Sequence, residues 1–217
     1  MKEYELIVFD WDGTIMDSTA LIASCIQDAC RDVGVPVPAS SEALFVIGLG
    51  HVDAVERVAP GMNVAQRLAF SESYRRNFLS REHEAPLFPG MRELLAHLKD
   101  RPRRLAVATG KSRRGLDRAL DASGLRLFFE ASRCADEGHA KPHPDMLLRL
   151  LELTGVEPAR AIMIGDTTHD LELAANAGVD AVAVCYGAHR DELLRSRPAR
   201  HFAQSVQDLG EWLNSNA

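Results

Sequence analysis

Leu6-Ile7-Val8-Phe9-Asp10-Trp11-Asp12-Gly13-Thr14 joins a short apolar run to two carboxylates two positions apart. The run reads as a strand, and open α/β sheets place their ligands and catalytic groups at the carboxyl ends of strands. That gives Asp10 and Asp12 an active-site address. A carboxylate can act as a covalent nucleophile, toward phosphorus included, while a second carboxyl serves as general acid and then base. An Asp-Gly turn leaving a strand also accounts for Asp12 and Gly13 through ordinary turn chemistry, so the rest of the chain has to decide.

The 217 residues suffice for one large domain or for a core domain carrying a smaller one. With 46% apolar and 26% charged residues the composition is that of a globular protein. A net charge of −6 gives no general attraction to nucleic acid or to an anionic membrane surface. No apolar stretch approaches the ~18 residues of a membrane span, and the chain start lacks the pattern of a signal peptide. Cys25, Cys30, Cys134 and Cys185 are scattered without C-x-x-C spacing, which reads as reduced thiols in a cytoplasmic protein. His139 and His143 stand four apart, but Gly138, Pro142 and Pro144 exclude the helix that a zinc pair needs there.

Beyond the first strand, the periodicity predicts only helices as far as residue 84: a stripe through Ile22, Cys25, Ile26, Ala29 and Val33, then 41–47, 51–59 and 64–81. From Pro89 onward the pattern alternates. Helices are expected at 91–98, 113–123, 145–154 and 171–177, with strands at 105–108, 128–131, 161–164 and 181–184. Such alternation indicates β-α units and a parallel sheet. The fold class is therefore α/β: a Rossmann-like parallel core with helices on both faces, 1–15 and 85–217, and a small helical domain inserted at 16–84. Ala85-Pro86-Leu87-Phe88-Pro89-Gly90 suits a stiff linker between them.

Three further groups fall at expected strand ends. Thr109-Gly110-Lys111-Ser112, where a strand meets a helix, offers a hydroxyl, an accessible amide and a helix start, the makings of a phosphate cradle. Ser112 as a simple N-cap is the competing reading. Lys111, Arg113 and Arg114 lie at the end of that helix where cations are disfavoured, which points to an anion near Lys111, although the two arginines suit a solvated surface. Lys141, in Lys141-Pro142-His143-Pro144, is either a fixed positive charge for a phosphoryl oxygen or a surface lysine. Gly165-Asp166-Thr167-Thr168-His169-Asp170 sets two acids four residues apart after an apolar strand. Mg²⁺ prefers such oxygen ligands, with Asp166 opposite Asp10 and Asp170 as a water-mediated ligand, a brace or a helix N-terminal acid. His169 is expected at the surface.

The ordered set D-W-D-G-T, Thr109-Gly110-Lys111, K-P-H-P and G-D-T-x-x-D resembles the four motifs of the haloacid dehalogenase superfamily, over nearly the whole chain, and is similar to its phosphoglycolate phosphatase-like members. The resemblance implies a helical cap at 16–84 and an enzyme that hydrolyses a small phosphorylated metabolite, 2-phosphoglycolate being one candidate. It implies that Asp10 attacks phosphorus and that Asp12 handles the proton. Thr109, the Gly110 amide and Lys141 would hold the phosphoryl group. Mg²⁺ would be bound by Asp10, Asp12 through its backbone carbonyl, and Asp166, with Asp170 supporting. The dehalogenases of the superfamily lack an aspartate at the Asp12 position. Gly110 departs from relatives that carry asparagine or serine there. In relatives a cap loop helps to choose the substrate, and Gly48-Leu49-Gly50-His51 is the candidate, with His51 or Arg57 reading a second anion. The bland alternative is that His51 starts a helix and Arg57 is solvated. A sugar phosphomutase and a phosphate-binding regulatory module without turnover are the rival functions. The assembly expected is a monomer or homodimer, without nucleic acid or membrane.

Overall fold

A computed structural model describes residues 4–216. Met1, Lys2, Glu3 and Ala217, which the expected core domain includes, lie outside the described residues. Strand β1 (Leu6–Phe9) is followed by four helices, α1 (Thr19–Asp32), α2 (Ser40–Phe45), α3 (His51–Val58) and α4 (Val64–Arg81). Then come α5 (Met91–Lys99), β2 (Arg104–Thr109), α6 (Arg113–Ser123), β3 (Ala131–Cys134), α7 (Asp145–Thr154), β4 (Ala161–Gly165), α8 (Thr168–Asn176) and β5 (Asp180–Val184). The short α9 (Asp191–Leu194), β6 (His201–Ala203) and α10 (Val206–Asn216) complete the order.

The six strands form one parallel sheet in the order β3-β2-β1-β4-β5-β6. Strand side chains alternate between faces. Ile7 and Phe9 join Leu95, Leu116 and Leu213 on one side, and Leu6 and Val8 join Leu147, Leu150 and Leu173 on the other. Burial on both faces explains why β1 reads as an unbroken apolar run.

The helices α1–α4 pack around a third core of their own, built on Leu21, Ile22, Cys25, Ile26, Phe70 and Phe78. The two connections to the sheet run side by side: Asp17 N–H donates to Pro86 O at 2.8 Å and Phe88 N–H to Ile15 O at 3.1 Å.

Three expectations need correction. The strand expected at 128–131 lies at Ala131–Cys134 and is preceded by a 3₁₀ turn, Arg126–Phe128. There Phe128 and Phe129 turn back to pack against the sheet core rather than extending along its edge. Helix α8 begins at Thr168 rather than at 171, because Thr167 caps it and Asp170 closes a reciprocal capping box. His169 is buried, not at the surface. Among the described residues, no helix is long and apolar enough to cross a membrane.

Candidate active site at the sheet switch point

The strand order reverses direction at β1 and β4, and ligands in open α/β sheets bind in the crevice beyond the carboxyl ends of such a pair. Asp10 and Asp166 are the first residues past those two strands. They are held abreast by the register Phe9↔Ile164 and by Asp10 N–H donating to Ile164 O at 2.8 Å. Asp170 enters from the first turn of α8, and one oxygen from each of the three carboxyls lies within 4.8 Å of the others. Gly13, with φ near +81°, makes the tight approach possible, since a Cβ there would overlap the Asp166 carboxylate.

Lys141 is 1% exposed, and its Nζ sits 2.8 Å from Asp10 Oδ1 and 2.6 Å from Asp170 Oδ1. Burial alone would lower its pKa, but the Asp10 and Asp170 carboxylates outweigh that and hold the ammonium charged. One buried cation thus faces three buried acids. Burial, reinforced by Asp170 and Asp12 against the pull of Lys141, raises the Asp10 pKa to about 7. Burial, then the charges of Asp10 and Asp170, push Asp166 well above the carboxylate range.

The remaining hydrogen bonds sort the acids. Asp166 accepts from Thr14 Oγ1 at 2.9 Å and from Ala188 N–H at 2.7 Å. Asp170 Oδ2 accepts from Thr167 N–H at 3.1 Å and Thr167 Oγ1 at 2.7 Å. Asp10 Oδ2 is buried with no hydrogen-bond partner among the described residues. A site with excess negative charge, hard oxygen donors and one orphaned carboxylate oxygen fits a divalent cation such as Mg²⁺.

Asp12 stands apart from this cluster. Its Oδ1 accepts from Ser18 Oγ at 2.7 Å, and its Oδ2 pairs with Lys111 Nζ at 2.9 Å. The anion implied beside Lys111 is therefore the protein's own Asp12. Lys111 also lies over the Phe78 ring of α4, 4.8 Å from its centroid, so one side chain touches both the sheet edge and the helical segment. Arg113, read as solvated, pairs with Glu137 at 2.8 Å. Thr109 is buried at the end of β2, its Oγ1 accepting from Lys111 N–H at 3.2 Å.

The loop before α3 closes over this edge. A Cβ on Gly110 would stand 2.7 Å from Leu49 O and 2.8 Å from Gly48 O. His51 begins α3, pairs through Nε2 with Ser71 Oγ at 2.6 Å and lines the cavity above Asp10 and Asp12. Arg57 does not line that cavity; it stacks on Phe45, 4.2 Å from the ring centroid.

Phe45 ends α2, where helix carbonyls have no intrahelical donor. Its carbonyl oxygen meets His169 Nε2 at 2.9 Å and His189 Nε2 at 3.0 Å. Thr168 N–H donates to His189 Nδ1 at 3.0 Å, so the ring's own proton resides on Nε2 and both nitrogens are satisfied in the neutral form. Neither histidine contact was legible beforehand, because both partners arrive from distant chain segments.

Burial pushes the His189 pKa down from 6.5 to about 4. Between those values the unfolded chain binds a proton that the folded one refuses, so stability falls as pH drops through that window. The expected loss is about 3 kcal/mol, complete near the lower bound. Urea midpoints at several pH values should show this slope, and His189→Gln should flatten it; equal slopes would refute the assignment.

Residues 7–184 match the haloacid dehalogenase-like hydrolase family. The chain is similar to the probable phosphatase IndB of Dickeya dadantii, 35% identical over 88% of this chain and 85% of that protein. It is also similar to the tyrosine-protein kinase PtkA of Mycobacterium tuberculosis, 31% identical over 96% of this chain and 72% of the other. In fold it resembles the crystal structure of a predicted phosphoglycolate phosphatase from Haemophilus somnus. That TM-score is 0.86 at 24% identity, covering 98% of this chain and 99% of that one. The family match spans most of the chain, including the carboxylates at the switch point, and the chain belongs to the haloacid dehalogenase-like hydrolase family.

Proposed function

We propose that this protein is a Mg²⁺-dependent phosphatase that hydrolyses a small phosphorylated metabolite through an aspartyl-phosphate on Asp10. The observation that carries the reading is Asp10 itself, a buried carboxylate with an unpartnered oxygen beside Lys141, lining the cavity. The sequence relationship to IndB, named a phosphatase, agrees with it.

In this reading an Asp10 oxygen attacks phosphorus, the bond from phosphorus to the ester oxygen breaks, and Asp12 gives that oxygen its proton. Asp12 then takes a proton from water, the water oxygen bonds to phosphorus, and Asp10 is released with inorganic phosphate. Ser18 and Lys111 fix the Asp12 carboxyl, while Thr109, the Gly110 amide and Lys141 hold the phosphoryl oxygens. Mg²⁺, held by Asp10, Asp166 and the Asp12 carbonyl, would supply positive charge between an anionic nucleophile and an anionic phosphate. Asp170, with both oxygens already engaged by Lys141 and Thr167, serves better as the brace for Lys141 than as a direct ligand. Segment 16–84 acts as a cap that closes the site to water.

Inorganic phosphate release from a panel of phosphate monoesters, 2-phosphoglycolate and sugar phosphates included, is expected with Mg²⁺. Chelation should reduce it by about 10²-fold or more. Isomerised sugar phosphate without phosphate release would instead make the protein a mutase, and tight ester binding without turnover would make it a binding module.

A further inference from the structure

The cap segment rests against the sheet edge: the Gly48 and Leu49 carbonyls lie over Gly110, and the Phe45 carbonyl receives two imidazole donors. A cavity of about 440 Å³ nevertheless remains between them. On the phosphatase reading it is the space left for the leaving group. Its floor is Asp10, Asp12, Thr109, Gly110 and Lys111.

Its walls have a different character. Ile22 and Ile26 of α1, Val55 of α3, and Phe70, Tyr74 and Phe78 of α4 line it. Among the cationic side chains that border it above the floor, Arg118 is paired with Glu82 at 2.9 Å, and Arg75 and Arg114 are exposed. Lys111, the lysine of the floor, is already paired with Asp12.

Size and polarity both bear on the substrate. At roughly 30 Å³ per water, the cavity has room for on the order of fifteen water-sized groups. A phosphate bearing a two-carbon acid would leave most of the apolar wall wet, and the guanidiniums with which its carboxylate could pair, Arg75 and Arg114, are exposed to solvent, where such a pair is worth little. An apolar ring or branched chain would displace that water and bury its own surface with gain.

We infer that the preferred ester carries an apolar leaving group of at least ring size, seated between α1 and α4 against Ile26, Phe70, Tyr74 and Phe78. The inference rests on the phosphatase reading and narrows it to a substrate class other than small phosphorylated acids.

Benzyl phosphate and 2-phosphoglycolate test it, because both release primary alkoxides and so differ in body rather than in leaving ability. The expected kcat/KM is at least about tenfold higher for benzyl phosphate, mainly through KM. Calorimetric binding of the non-hydrolysable benzylphosphonate and of phosphonoacetate to the wild-type protein with Mg²⁺ supplies a second readout independent of turnover. Tighter benzylphosphonate binding with a negative heat-capacity change supports the apolar seat even if no ester is hydrolysed, an outcome that would remove the phosphatase reading alone. Hydrolysis that favours 2-phosphoglycolate, or tighter phosphonoacetate binding, overturns the apolar seat and leaves the phosphatase reading standing.

Discussion

Asp10→Asn is expected to lower phosphate release by at least about 10³-fold, because the amide keeps the shape of the side chain and removes the anion proposed as the nucleophile. The fold should survive. Asp10 is 1% exposed, crowded by Asp166 and Asp170, and has one oxygen with no hydrogen bond. Neutralising it therefore removes a desolvated charge, and the variant should unfold in metal-free buffer at a urea midpoint equal to or above that of the parent. Loss of activity together with unfolding would leave the role of Asp10 unproven. A folded variant that keeps a tenth of the parent rate would reject covalent catalysis at this residue.

Lys141→Met should act on stability as strongly as on rate. The ammonium is buried between Asp10 and Asp170, so removing it strands two like charges in a dry site. Breaking buried pairs from one side costs about 3–5 kcal/mol. In chelator at neutral pH the urea midpoint is expected to fall accordingly. The deficit should shrink on acidification, since proton uptake by the stranded carboxyls removes the charge that causes it. Phosphate release should fall by about 10²-fold or more, through loss of the cation proposed to face the phosphoryl oxygens. An unchanged midpoint at neutral pH would mean that water or a bound cation already balances the pair, and would demote Lys141 to a packing role.

The sequence made the sheet readable because its strands are short apolar runs buried on both faces and its helices carry long apolar stripes. Helices α4, α6 and α7 begin and end where periodicity and caps put them. Reading weakened where local pattern competes with distant packing. The Phe128-Phe129 pair has strand propensity, yet it is drawn onto the core and β3 starts after it. Residues past 184 form β6 and α10, whose brief edge strand gives little alternation to read.

The candidate site divides in the same way. Asp10, Asp12, Thr109, Lys141, Asp166 and Asp170 announce themselves by their position at strand ends or helix starts, and the structure brings Asp10, Asp166, Asp170 and Lys141 together while Asp12 is held apart by Ser18 and Lys111. Lys111 and Ser18 reach Asp12 from the end of β2 and from six residues on, but Phe45 between His169 and His189 depends on how the helical segment lies on the sheet. No local spacing encodes that placement. His169 looks like an ordinary polar residue in a first helical turn until α2 is laid across it.

Gly110 links the two parts of the molecule in another way. A Cβ at this position would run into the Gly48 and Leu49 carbonyls. One missing methyl group thereby lets the Gly48-Leu49 loop rest this close to the end of β2. A chain with a larger residue there has to carry that loop farther out, and so encloses a different volume over Asp10 and Asp12. The two loops form a matched pair: enlarging residue 110 alone would unseat the 48–49 loop, whereas a compensating change in both would alter the chamber and leave Asp10 and Asp12 in place.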